Sequence, residues 1–498
     1  VTPQWSWATW LEVAALAAVA LPTLRVSQQL RTLFPRVAAL LAFIAVVWLT
    51  FVVSLARWWP TGLPVLVVLS LIVGAAAVWY ARPAFGQGRG LPPGSLSLFA
   101  SMAALADRDF YRGQAARRGP VFKMAQFHQP VVCVVGLERG HRLIRDHGEA
   151  LGPSPQRVTG EVPQGFLRYM DHEAHAIYSP LLRQALSTQV VADALPAMRA
   201  AARHELAQPR GWRTGALDPT SILERITDAS FLRVFFGVEP HSSNFDAMIH
   251  AYRPLATLRL SDALTSPARA GLVELRRLVS ACSRDSSQAS RSAMTELRRL
   301  APQMPDDTCV DNLIFMWKVS ASNAVGLLRW LVALLGENPE WCARLQADLR
   351  RDSGEGDLLD RVVSETLRLS QSEYLYRRVR QDFMFDGFRV PAHWLVRICV
   401  WESHRDPRIF EDPDRFDPDR FLQREHPRNT YSPFGSGRHA CNGVPLTMAI
   451  AHVFCEVLSQ TWNWSVIGHG TLERDFRHWS HWRPGRDLRL VLHSPIEG

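Results

Sequence analysis

The chain has 498 residues, 47% of them hydrophobic, with 17 Trp and 32 Pro and no internal repeat or low-complexity tract, so it reads as a large globular protein rather than a repeat array. Its seven cysteines, at 133, 282, 309, 342, 399, 441 and 455, are scattered and odd in number, which argues against a disulfide framework and for a reducing compartment. The formal charge of +9 is spread along the chain with no basic tract interleaved with aromatics. That pattern argues against a nucleic-acid partner and for a basic surface facing an acidic partner or an anionic membrane.

From the N-terminus, Val37 to Ala56 is a twenty-residue run without a charge and Thr61 to Ala81 another of twenty-one. Each is long enough to cross a bilayer. Their flanks, Arg57, Trp58, Trp59, Trp79, Tyr80 and Arg82, read as interfacial anchors. An earlier apolar segment, Trp7 to Leu24, is interrupted by Glu12 and Pro22, so two or three transmembrane helices are expected in residues 1–82. Arg25, Arg31 and Arg36 precede the first of the two long runs, and Arg82 and Arg89 follow the second, which by the positive-inside rule sets the rest of the chain on the cytoplasmic side. Residues 83–95, with Gly86, Gly88, Gly90, Pro92, Pro93 and Gly94, read as a hinge ahead of a domain over 96–498.

Beyond the hinge, Val121 to Met124 and Val131 to Val135 predict short strands, followed by a helix starting near Gly140. Residues 152–169, carrying three prolines and three glycines, predict a loop, and 190–300 a series of helices. Asp306, Asp307 or Thr308 caps a long predicted helix that runs to about Leu335 and stops at Gly336-Glu337-Asn338-Pro339. Glu365 and Arg368, three apart, share one helix face. Arg389 to Val400 alternates as a strand, and a further strand falls near Leu488 to Leu492.

The most informative residue is Cys441, in the run Phe434-Gly435-Ser436-Gly437-Arg438-His439-Ala440-Cys441-Asn442-Gly443 just before an apolar helical stretch. A sulfur ahead of a helix N-terminus meets unpaired N–H groups and the positive end of the dipole, which favour the ligating thiolate. Gly435, Gly437 and Gly443 allow tight bends and close approach to a flat cofactor, and Phe434 offers an aromatic ring beside the sulfur. No second Cys or His stands at zinc-like spacing, so a single axial thiolate on haem iron is the reading.

The pattern Phe-x-x-Gly-x-His-x-Cys-x-Gly, filled by Phe434, Gly437, His439, Cys441 and Gly443, resembles the cysteine-ligand loop of the cytochrome P-450 superfamily, and the resemblance runs from about residue 92 to the end. It implies a mainly α fold with small β-sheets, the cytochrome P-450 fold, here behind the membrane anchor, with Cys441 as the haem iron's proximal ligand. It also implies that Glu365 and Arg368 join an arginine of the segment Phe416-Asp417-Pro418-Asp419-Arg420 in a buried ion network; Arg420 is favoured, with Arg415 of the near-repeat Asp412-Pro413-Asp414-Arg415-Phe416 as the competitor. Arg378, in Tyr376-Arg377-Arg378-Val379-Arg380-Gln381-Asp382, best fits the arginine that meets a haem propionate, joined by His175 and His439. Ser179 stands where an arginine is usual after His175.

In the long helix the usual Gly-x-acid-Thr segment falls on Ser320-Ala321-Ser322-Asn323, so both acid and threonine are missing. Asn323, Ser322 and Ser320 are then the candidate catalytic residues. A Ser-x-x-Asn followed by Trp330 is similar to the sterol 7-hydroxylases, which use oxygen, and to prostacyclin synthase, which does not; hydrogen bonding of Ser and Asn within the helix is the alternative reading. The resemblance thus implies a membrane-anchored haem-thiolate monooxygenase acting on an apolar small molecule, with electrons from a separate ferredoxin or flavoprotein. The alternatives are an oxygen-independent haem-thiolate isomerase or dehydratase and a non-catalytic haem-binding membrane protein.

Overall fold

In the computed structural model the described residues lie within 90–496, save 97, 127–128, 153–166, 168–169, 171, 208–215, 257–265, 283–290, 352–356, 372, 424–425, 469 and 476–480. The expected membrane spans and the loop over 153–166 therefore fall outside them. Nearly all described residues belong to one compact unit comprising Gly88–Ser95, Met102–Met124 and Gln129–Gly498.

That unit is mainly helical. A six-stranded sheet runs in the order β1 (Gly94–Ser95), β2 (Val121–Gln126), β3 (Gln129–Val135), β9 (Leu395–Cys399), β6 (Tyr374–Val379), β4 (Leu151–Gly152). β3 and β9 pair in parallel, β9 and β6 antiparallel, with Tyr376 opposite Arg397. The Val-rich β3 is buried from Val131 to Val134, as a strand covered on both faces must be. A second sheet orders β10 (Trp462–Ile467), β13 (Arg489–Pro495) and β5 (Ala216–Leu217), while β11 (Leu472–Asp475) with β12 (His481–Pro484) and β7 (Phe383–Phe385) with β8 (Phe388–Val390) form hairpins.

Three expectations are corrected here. The single strand over 389–400 is two, β8 and β9, because Pro391 lacks an N–H and His393 has the left-handed φ of 68°. The long helix spans Asp306–Glu337, but its N-cap is Pro305, with no side-chain cap; the two aspartates sit in its first turn, where they favour the dipole. Within the predicted hinge, residues 90–95 are fastened to the sheet: Gly94 and Ser95 pair with Lys123 and Met124, and Lys123 donates to the carbonyls of Pro92 and Pro93.

The Asp306–Glu337 helix is the axis of the core. Among the described residues it alone is long and apolar enough to cross a bilayer, yet 61% of its most apolar window is buried in protein, which makes it a core helix. Trp317 is fully buried, stacked on Tyr252 at 3.8 Å and donating to Asp228 at 3.0 Å. Burial pushes the Asp228 carboxyl up to about 7, against the opposing bond from Trp317. Between the unfolded value near ~3.9 and the folded value, the folded chain holds a proton that the unfolded chain has lost, so stability falls as pH rises through that window. Asp228→Asn keeps the acceptor for Trp317 and is expected to stabilise the protein at pH 8 by on the order of 3 kcal/mol, with little change at pH 4. Urea unfolding at the two pH values checks it; an equal shift at both would refute the proton linkage.

Candidate active site

The helix Asp357–Thr366 ends in a π-helical turn, Leu367–Gln371, and the two carry the ion network. Glu365 and Arg368 are both 0% exposed. Arg368 grips Glu365 with two bonds of 2.7 Å, and its remaining N–H groups reach the carbonyls of His404, Pro413 and Arg415. Arg420 Nε joins Glu365 Oε1 at 3.0 Å, beside the Asp417 N–H at 2.9 Å. Arg420 is therefore the third side chain, and Arg415 contributes its carbonyl, which accepts from both Arg368 and Arg420.

This network is tied to the cysteine loop through a residue the sequence reading overlooked. Buried His404 accepts the Ser432 N–H at Nε2, 3.1 Å away. Burial, with Arg368 and Arg405 nearby, lowers its pKa to about 3, so the ring stays a neutral acceptor. Tyr431 adds a bond to the Ser364 carbonyl at 2.9 Å.

From Ser432 the chain turns through Gly435 and Gly437, with φ of 72° and 67°, into a short 3-10 turn, Gly437–His439. The Cys441 N–H closes the loop on the Phe434 carbonyl at 2.9 Å. Phe434 packs against the main core, and Gly443 caps the helix Val444–Thr461, with Pro445 in its first turn. Cys441 is solvent-exposed, yet burial is the main influence on its thiol and raises its pKa, against the Gly443 N–H and the Arg183 guanidinium. A sulfur both reachable and crowded by protein lines a recess. Among the described residues, and leaving aside its chain neighbours, no atom lies within 4 Å of where a Gly437 side chain would begin, so the loop is open at that position.

Around the loop, buried His175, on the helix His172–Ala185, lies against the His439 ring with centroids 4.2 Å apart. Arg183, two helical turns after His175, donates to Asn442 at 3.3 Å. It escaped sequence analysis, although its spacing of eight from His175 puts it on the same helix face. Strand alternation separates the two candidate arginines of β6. Arg378 shares the side of Tyr376, whose ring belongs to the small core with Tyr111 and Phe122, and it is exposed. Arg377 shares the side of Leu375, whose methyl carbons lie 3.5 and 3.7 Å from the Cβ position of Gly435. The arginine directed toward the cysteine-loop side is thus Arg377.

On the long helix Asn323 is exposed, whereas Ala321 and Ala324 on either side of it are buried. Its amide donates to the Val319 carbonyl at 3.0 Å. Ser320 and Ser322 are half-buried.

A family model described as cytochrome P450 matches residues 324–484. Abscisic acid 8'-hydroxylase 1 of Arabidopsis thaliana is 23% identical over 439 residues, covering 80% of this chain and 92% of its own length. Ent-kaurenoic acid oxidase 1 of Hordeum vulgare is 23% identical over 456 residues, covering 80% and 90%. A solved structure, retinoic acid bound cyanobacterial CYP120A1, superposes with a TM-score of 0.68 at 22% identity, covering 82% of this chain and all of its own. The matched region takes in the Glu365–Arg368–Arg420 network and the Cys441 loop, and together these findings make the chain a member of the cytochrome P450 superfamily.

Proposed function

We propose that the protein is a membrane-anchored haem monooxygenase in which Cys441 is the iron's thiolate ligand and Asn323 orders the oxygen side of the pocket. The observation that carries this reading is the recess at Cys441: a reachable sulfur in a protein-lined hollow, beside two left-handed glycines, with the loop open at Gly437. A haem has the flat shape and single axial demand that such a hollow suits. When bound there, it supplies dioxygen activation with electrons from a separate ferredoxin or flavoprotein.

The chain's own residues do the rest. The Gly443 N–H, pointing at the sulfur, stabilises its charge. Arg377, with His175 and His439, provides the cationic and hydrogen-bonding edge for the propionates. The network at Glu365 fixes the layer behind the loop through His404 and Ser432. Asn323, with neither acid nor threonine beside it, orders water by its amide rather than giving up a proton of its own. The apolar core residues Met316 and Val319, partly buried on the Asn323 face, suit an apolar small-molecule substrate. Residues 1–82 anchor the enzyme in the bilayer, the catalytic domain lies on the cytoplasmic side, and the boundary falls ahead of Gly90, where the sheet contacts begin.

Labelled dioxygen tests the reaction. Product should carry one labelled oxygen atom, and Asn323→Ala should lower product formed per reductant consumed, because the amide that orders the water is gone. Turnover without oxygen and reductant, giving unlabelled product, would replace the monooxygenase with an isomerase.

A further inference from the structure

Away from the cysteine loop, the last turns of the helix Thr188–Ala207 carry His204 and Glu205, and the loop after the helix Thr220–Phe236 brings His241 against them. The two imidazole centroids are 3.9 Å apart, and potential ligand atoms of all three residues lie within 4.8 Å of one another. Glu205 is buried and both histidines are exposed. Arg225 Nε holds Glu205 Oε2 at 2.7 Å, orienting the carboxylate. His241 itself adopts a left-handed φ of 63°, a conformation that costs any residue with a Cβ and that suits glycine better. The strained backbone nonetheless sets an imidazole onto His204.

We propose that His204, Glu205 and His241 form a divalent-metal site, selecting Zn²⁺, that clamps the end of one helix to the loop between two others. Two imidazoles and one carboxylate are a borderline-soft ligand set, and zinc's tetrahedral preference leaves the fourth position to water from the exposed side. Arg225 plays the supporting part, fixing the carboxylate as outer partners of metal ligands do. The proposal stands independently of the haem.

The test uses the full chain in detergent, equilibrated with Zn²⁺, dialysed, and assayed for metal content by mass spectrometry. One zinc per chain is expected for wild type and less than a tenth of that for His204→Ala and for His241→Gly. The glycine variant is the discriminating one, since it accommodates the φ of 63° and should fold at least as well. Zinc should raise the melting temperature of wild type and leave that of His241→Gly unmoved. Equal zinc content in wild type and both variants, or an equal melting shift in His241→Gly, would overturn the site.

Discussion

Cys441→Ala is expected to abolish the red-shifted Soret band of the reduced carbonyl complex and to take product formation below detection. The loop would still close, because the bond to the Phe434 carbonyl comes from the backbone N–H of residue 441 and needs no sulfur. Loss of the band would therefore report ligation rather than unfolding. The same band in the alanine variant would mean that another group holds the iron, with His175 and His439, whose ring centroids lie 4.2 Å apart, as candidates.

Glu365→Ala should have the largest effect on stability, about 3–5 kcal/mol, because removing one member of a buried ion network leaves the others uncompensated. Arg368 would be left wholly buried with its carboxylate gone, and the Asp417 N–H would lose its acceptor. Arg420→Ala should cost less, since Arg368 still satisfies both carboxylate oxygens. Denaturant unfolding with haem retention as a second readout separates the cases. A Glu365→Ala variant within about 0.5 kcal/mol of wild type would show that the network contributes specificity rather than stability.

The parts of this protein that were legible in its sequence are those set by chain-local rules. The tight turn that carries Cys441 and the helix after it were readable because glycines and an apolar run mark both within about ten residues. The Glu365–Arg368 pair followed from helical spacing, while the choice of Arg420 over Arg415 needed the fold, since both stand in nearly the same five-residue context and only one turns its guanidinium inward. Separating Arg377 from Arg378 also needs the fold, because adjacent strand residues differ only in the face they occupy, and that face is fixed by pairing with β9. The β7–β8 hairpin did have a local signal: Asp386-Gly387 between Phe-rich flanks, with φ of 47° and 80°, is a two-residue turn suited to a hairpin. His404 had none, since its role depends on Arg368 and Ser432, each 28 or more residues away.

The π-helical turn at Leu367–Gln371 has a bearing on how this protein can change over evolutionary time. Widening the helix by one residue turns the Leu369 carbonyl outward, where it accepts from Trp401, Arg405 and Arg108. Those three bonds depend on the number of residues in the segment more than on their identity. Deleting one residue would restore an ordinary α-helical turn, draw that carbonyl back into the helix, and swing everything after it by about 100°. Apart from Arg368, which the ion network holds, side chains along this stretch can therefore change without breaking those bonds, whereas its length is held against insertion and deletion. A lineage could alter what the pocket accepts, but it could not re-space this turn without rebuilding the attachment of Trp401 and its two arginines in the same step.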